Sequence, residues 1–475
     1  MNEEYDVIIV GSGPNGLAAA TYLQKQGYRT AIFEQAEKPG GAARTEEITL
    51  PGFKHDLGSA VHPLAFASPY FKTLPLEDYG LKWIHPEIPF AHPFEDGTAF
   101  GCYKDIRKTA AQLGEDEQNY LDLLLNFVEK WPELEEDLLA PLRLPQNLEM
   151  MFRFGLKALP SAKFTVDHYF KEEKSKIFFY GAAAHSTLPL SKLVSSSFGL
   201  VLNILAHRHG WPFPEGGAVK IVDSLLSYYK DQGGKIYLNQ TVSDLEELPS
   251  SKTFILDLTP KQILKIKNTD LSKTYRSRLE KYKYGAGIFK MDWALDKPIP
   301  FTNEICKKAG TVHFGYSKES LEDSEAAAHE NRLSSEPYVL LAQPSVFDSS
   351  RAPAGKHSAW AYCHVPNGNT EDVSKQIENQ IERAAPGFKE SIIAKCTMRT
   401  NELQALNPNL IGGDINGGKQ DISQLFTRPI ASINPYATSN PKIFIGSSST
   451  PPGGGVHGMG GYYAAKSAEK FLRKK

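Results

Sequence analysis

The sequence predicts an α/β protein: a parallel-sheet domain assembled from both ends of the chain, and a mixed α+β domain built from its middle. Three observations predict it. Short unbroken apolar runs flank a helical pattern at the N-terminus, an α/β pattern returns after residue 210, and residues 442–475 repeat the order strand, glycine turn, helix.

The first unit carries the clearest signal. Val7-Ile8-Ile9-Val10 is continuously apolar, as expected of a strand buried on both faces of a parallel sheet. Gly11-Ser12-Gly13-Pro14-Asn15-Gly16 follows directly, and Leu17, Ala20 and Leu23 mark the apolar stripe of a helix that Gly27 ends. Thr30-Ala31-Ile32-Phe33 is a second strand closing on Glu34. Together they make one βαβ unit of about 30 residues. Residues 75–210 read as a mainly helical insertion: helical spacing over 115–139 with a break at Pro132, an apolar and weakly basic stretch from Met150 to Leu159, and a further helix over 195–205. After Gly216-Gly217 a helix is expected over 218–229, and strands over 235–238 and 253–258. Residues 285–400 mix strand-like runs with a helix over 370–385, and the acidic segment 317–335 reads as a loop or exposed helix. A last strand spans 442–445, and a helix starts near Gly461. The domain boundaries that follow are 1–75, 210–275 and 415–475 for the first domain, and 76–209 and 276–414 for the second.

With 475 residues the chain can bury large cores without disulfide staples. Its 53 basic and 55 acidic residues nearly cancel, which argues against nucleic acid as the main partner. Cys102, Cys306, Cys363 and Cys396 are scattered with no CxxC pair, so neither a disulfide framework nor a metal site is expected, and a reducing cytoplasm is the natural setting. The N-terminus lacks the basic start of a secretory signal. No apolar stretch approaches the ~18 residues of a membrane span; contact with a membrane surface stays open.

GxGxxG gains its meaning from context: strand before, helix after, acid at the end of the next strand. Gly11 permits the tight turn, Gly13 lets the backbone approach a pyrophosphate, and Gly16 lets the helix pack on the strand. The helix start offers unpaired N–H groups to phosphates. Glu34 can accept both hydroxyls of a ribose. A second glycine-rich piece, Pro39-Gly40-Gly41-Ala42-Ala43-Arg44-Thr45, would bring backbone N–H groups and a cation near phosphates or a flavin. A third lies at Ile443–Gly461, where a strand ends in a small-residue turn before a helix. Such a helix start can aim its positive end at a flavin ring, which a plain NAD dehydrogenase does not require. No second GxGxxG follows a strand, so a dedicated NAD(P)H domain is not expected.

These motifs identify a resemblance. The chain resembles the phytoene-desaturase-like flavoprotein oxidoreductases, within the wider amine-oxidase-like group. The resemblance runs through Gly11–Glu34, Gly40–Thr45, Pro51–Ser59, Gly181–His185, Gly210–Gly217, Gly310–Gly315, Gly412–Ile415, Arg428-Pro429 and the terminal Gly446–Gly461. It implies a Rossmann-type, glutathione-reductase-like FAD-binding domain, non-covalent FAD and a hydrophobic substrate. Matching positions imply FAD contacts at Gly11, Gly13, Gly16, Glu34, Gly41, Arg44, Val242, Gly446, Gly455 and Val456, with Pro14, Asn15 and Gly40 in the same motifs. One departure is the short segment 245–252, which leaves no room for the hairpin many relatives carry after the Val242 position. The implied activity is dehydrogenation or isomerisation of a hydrophobic unsaturated molecule, such as a carotenoid-like polyene or lipid. Electrons would pass to dioxygen, a quinone or NAD(P). The alternatives are a flavin amine oxidase, for which Tyr462 and Tyr463 could supply rings, and a non-catalytic lipid- or prenyl-binding protein.

Hydride transfer to a flavin needs positioning more than acid–base groups. If a proton must also leave, histidine is the candidate. His457 stands in the turn nearest the expected flavin, and His185 and His313 follow; each is alternatively a packed or capping residue. The stretch from Met150 to Leu159 would line a tunnel mouth or rest on lipid, or else pack as ordinary core.

Overall fold

The structure, a computed structural model, describes residues 4–474. Five parallel strands form one sheet, in the order Ile443–Ile445, Ser251–Leu256, Tyr5–Val10, Thr30–Phe33, Lys235–Tyr237. Tyr5–Val10 is β1, the helix Pro14–Lys25 is α1, and Thr30–Phe33 is β2. The unbroken apolar run of β1 serves two cores. Val7 and Ile9 pack with α1 and with the helices Val219–Asp231 and Met459–Leu472, whereas Ile8 and Val10 pack on the other face with Ile263, Ile266 and Leu279. Because all five strands are parallel, the loops after β1, β2, Ser251–Leu256 and Ile443–Ile445 converge at one edge.

Seven strands form a second, mixed sheet: Ile392–Met398, Gly287–Leu295, His357–Val365, Val339–Ala342, Ala309–Phe314, Ile88–Pro93 and Ala99–Cys102, in that order. Alternation along Gly287–Leu295 sorts its side chains. Phe289, Met291 and Trp293 enter a core shared with the helix Ser374–Ala384. On the opposite face Ile288, Leu340, Trp360 and Tyr362 meet the helices Leu148–Ala158 (α2), Glu173–Ala183 and Ser195–Arg208.

Residues 75–210 are mainly helical, as expected, but they also supply the strands Ile88–Pro93 and Ala99–Cys102, which extend the second sheet. Pro89 and Pro93 disguised the first of these, since prolines argue against a strand inside a sheet. The acidic segment forms the helix Lys318–Ala327, capped by Ser317, but it is not wholly exposed. Its Glu325 is buried and pairs with His364 Nδ1 at 2.7 Å.

Candidate cofactor and substrate site

A cavity of about 890 Å³ opens at the edge where the parallel strands end and reaches α2. Val10, Phe33, Asp257 and Ser447 stand at or just past four strand ends and line it. This crevice is where open α/β sheets bind ligands.

The glycine loop is shaped by close approach. Gly11 leaves β1 at φ +100°, and a side chain at Gly16 would lie 2.2 Å from the Gly11 carbonyl oxygen. A side chain at Gly13 would lie 2.7 Å from Asp257 Oδ2. Gly11, Gly13, Pro14 and Asn15 face the cavity, as do Gly41 and Arg44. Arg44 is 9% exposed, its Nε has no hydrogen-bond partner, and it makes no ion pair among the described residues. A buried guanidinium so placed is matched by an anion. Val242, Gly455 and Val456 line the wall as well, the last two just ahead of the Met459–Leu472 helix. The glycine loop suits a pyrophosphate, the Glu34 carboxylate a ribose, and the turn before the last helix a flavin ring, so the donor set fits FAD.

Gly16, Gly40 and Gly446 lie behind the wall and shape it instead. Gly40 N–H donates to the carbonyl and hydroxyl of Ser12. A side chain on Gly446 would come 2.9 Å from Ala464 Cβ, so glycine seats the last helix on its strand. Glu34 also has less free capacity than expected. Its Oε2 accepts from Ser12 N–H (2.9 Å) and Oγ (2.6 Å), and its Oε1 from Ala36 N–H (2.9 Å). With three of about four lone-pair sites occupied, it has room for one ribose hydroxyl rather than two.

The histidines are held neutral. His457 lines the cavity, but its Nδ1 accepts the Met459 N–H at 3.0 Å, and burial lowers its pKa to about 4. It caps the last helix. His185 faces the apolar part of the cavity, with its Nε2 3.0 Å from His313 Nε2. Burial lowers His185 to about 3 and His313 far below its ordinary value, where His185 and His92 add like-charge repulsion. His313 stands behind His185, outside the wall. None is poised as a base near neutral pH; one imidazole of the pair donates to the other.

Three features escaped the sequence reading. Asp257 follows Ser251–Leu256 as Glu34 follows β2, but the strand expected over 253–258 put it inside the strand rather than at its end. Trp360 and Tyr362 stand side by side on the wall, ring centroids 5.6 Å apart, a period-2 pair within His357–Val365. Lys290 is buried on the cavity-side face of the second sheet, ion-paired with Asp292. Tyr462 and Tyr463 do not line the cavity: Tyr462 stacks on Tyr70 and Tyr463 on Tyr436.

Residues 15–263, just over half of the chain, match the family described as flavin containing amine oxidoreductase. The whole chain is similar to "Pyridine nucleotide-disulfide oxidoreductase domain-containing protein 2" of Rattus norvegicus, at 23% identity over 94% of the rat protein. It is 24% identical to the 4,4'-diapolycopen-4-al dehydrogenase of Metabacillus indicus, covering 95% of this chain and 94% of that one. The crystal structure of an oxidoreductase from Methanosarcina mazei superimposes with a TM-score of 0.65 at 16% identity, covering 98% of this chain and all of that one. The expected α/β fold is borne out.

Proposed function

The chain belongs to the flavin containing amine oxidoreductase family, with FAD as cofactor, and from that premise we propose that it dehydrogenates a hydrophobic unsaturated molecule, a carotenoid-like polyene or another lipid. The observation that carries this reading is the apolar wall beyond the glycine loop, where Phe154, Phe198, Val201, Leu202, Ile288 and Leu340 surround Trp360 and Tyr362. Bound FAD supplies the two-electron acceptor for hydride leaving a substrate carbon. The protein's own residues hold the chain of the substrate, orient it and keep water away. The substrate wall offers His185 and Thr311 as hydrogen-bonding groups.

An amine substrate is supported less well. The acidic side chains lining the cavity are Glu34 and Asp257 at the glycine loop, and Asp137, which Arg143 pairs at 2.8 Å. An ammonium in the apolar part would meet no counter-ion among the described residues, and burying it unpaired is costly. Lys290 does not line the cavity, and Asp292 takes its charge. The reoxidant is a small acceptor able to enter the same cavity: dioxygen, a quinone or NAD(P).

The substrate's route supports the reading too. α2 is apolar on two sides. Met150, Phe154 and Ala158 point inward, while Leu148, Phe152 and Leu156, also four apart, are 65%, 67% and 61% exposed. Leu142, Leu144, Leu159 and Phe164 are exposed nearby in sequence, and so is Leu193, whose neighbour Val194 donates its N–H to the Leu159 carbonyl at 2.9 Å. Scattered exposed apolar residues are ordinary, but a group of this size marks a contact surface. Leu142 and Leu159 also line the cavity. No helix among the described residues is long and apolar enough to cross a membrane. We therefore assign this face to the surface of a bilayer, from which a lipid-soluble substrate enters. Replacing Phe152 and Leu156 by Glu should abolish co-sedimentation with phospholipid vesicles while leaving the thermal unfolding midpoint in place. Unchanged vesicle binding would remove the assignment.

The reaction itself is tested by anaerobic mixing of the FAD-loaded protein with vesicles carrying an acyclic polyene, and separately with primary amines. Bleaching of the flavin by the polyene alone is expected. Bleaching by amines alone would establish the rival reading.

A further inference from the structure

We propose that Asp257 meets the pyrophosphate of FAD as the neutral acid, so that FAD binding takes up a proton and weakens as the pH rises. The inference rests on the FAD site described above and concerns a residue to which that reading gives no contact with the cofactor.

Asp257 is fixed by its backbone. Its N–H donates to the Val10 carbonyl at 2.8 Å, and its own carbonyl accepts from Asn409 Nδ2 at 3.2 Å. The carboxyl group is thereby set among the loop glycines. Oδ2 accepts the Gly16 N–H at 2.9 Å, and side chains built on Gly13 and Gly16 would lie 2.7 and 3.1 Å from it. It is 8% exposed, and the exposed part faces the cavity. The group therefore occupies the amino end of α1, where a glycine loop of this kind receives an anion.

A pyrophosphate arriving at the same loop brings negative charge. Two anions in one partly desolvated site cannot both ionise without a large cost. A neutral carboxylic acid removes the repulsion and adds an O–H donor for a phosphate oxygen. Burial and the nearest charge favour that form, against the N–H groups of Gly16 and Gly13. Glu34 approaches from the end of β2, and its charge disfavours ionisation of Asp257. Pro14 and Asn15 in the first turn of α1 carry no charge, and the packed segment 407–409 brings amides and a proline. The cations lining the cavity, Arg44, Arg143 and Lys265, are not among the groups that shift it. Burial, reinforced by Glu34 and opposed by the N–H groups of Gly16 and Gly13, pushes Asp257 up to about 7. Near neutrality the free protein thus sheds a proton that the complex retains.

The sign follows from linkage. Below the pKa of the free protein the acid is already neutral, and affinity is independent of pH. Above it, each pH unit weakens binding by up to about tenfold. The test is a titration of the apoprotein with FAD from about pH 6 to about pH 9, followed by flavin fluorescence, with calorimetry at about pH 8 in two buffers of different ionisation enthalpy. We expect affinity to fall above about pH 7 and binding to take up close to one proton. Asp257→Asn should flatten the profile and bind FAD more tightly than the unmodified protein at the alkaline end. A flat profile with no proton uptake in the unmodified protein would overturn the proposal and leave the flavoprotein intact. So would an Asp257→Asn protein that keeps the original slope. Failure to bind FAD at any pH would overturn both. The calorimetry needs no variant, so misfolding of Asp257→Asn cannot decide the question.

Discussion

Gly16→Val should abolish FAD binding. A Cβ at this position would lie 2.2 Å from the Gly11 carbonyl oxygen, a backbone atom that no rotamer change can move, and 3.1 Å from Asp257 Oδ2. Relief requires α1 to lift off β1. The N–H groups at its start would then leave the place proposed for the pyrophosphate, and Asp257 would lose its Gly16 partner. We expect affinity to fall by at least about 100-fold, or ~3 kcal/mol, measured by flavin fluorescence in a titration of the apoprotein. Gly155→Ala is the control, because a Cβ there meets nothing within 4 Å. Equal affinities in the two variants would remove the glycine loop from the site.

Asp56→Ala carries the second large effect, on stability. Asp56 accepts from Arg351 Nη2 at 2.7 Å, from Thr45 Oγ1 at 2.6 Å and from the Ala218 N–H at 2.8 Å. Both members of the ion pair are fully buried. They join the strand-like Thr45 and Asp56 and the start of the Val219–Asp231 helix to the loop before His357–Val365. Truncating Asp56 would strand Arg351, whose Nε and Nη1 already have no partner. Breaking a buried pair in this way costs about 3–5 kcal/mol. Burial alone would raise the Asp56 pKa, but Arg351 and the two hydrogen bonds outweigh it and hold it below the ordinary value. The stabilisation is therefore present above about pH 4, where the unfolded chain is ionised, and is lost as pH falls through the lower folded-state value. Urea unfolding at neutral pH should show the full loss, and the gap from the unmodified protein should narrow in acid. An unchanged midpoint at neutral pH would contradict the account.

What could be read from the sequence follows from how local each feature is. The βαβ unit from β1 to Glu34 was legible because a strand, a glycine turn and an acid at the next strand end are set by neighbouring residues. The stretch from Met150 to Leu159 was legible only as apolar and weakly basic, because its sorting into an inner row of Met150, Phe154 and Ala158 and an outer row of Leu148, Phe152 and Leu156 depends on what packs against α2. Asp257 was not, although its strand was expected, because only the parallel register Val10↔Leu256 brings that strand end to the glycine loop. Trp360 and Tyr362 face the cavity because of the sheet's pleat, and the same pleat carries Lys290 and Asp292 onto that side. The His185–His313 contact joins residues far apart in the chain. Glu34 was found, but its reduced capacity was not, since Ser12 and Ala36 become its donors only once the loop is folded.

The central claim is that this protein removes two hydrogens from a hydrophobic unsaturated substrate. The most direct measurement is an anaerobic single turnover of the FAD-loaded protein with a vesicle-borne polyene, with the product analysed by mass. The account predicts bleaching of the flavin matched by a product lighter by two hydrogens. A product of unchanged mass with the flavin still oxidised would contradict dehydrogenation and establish isomerisation in its place.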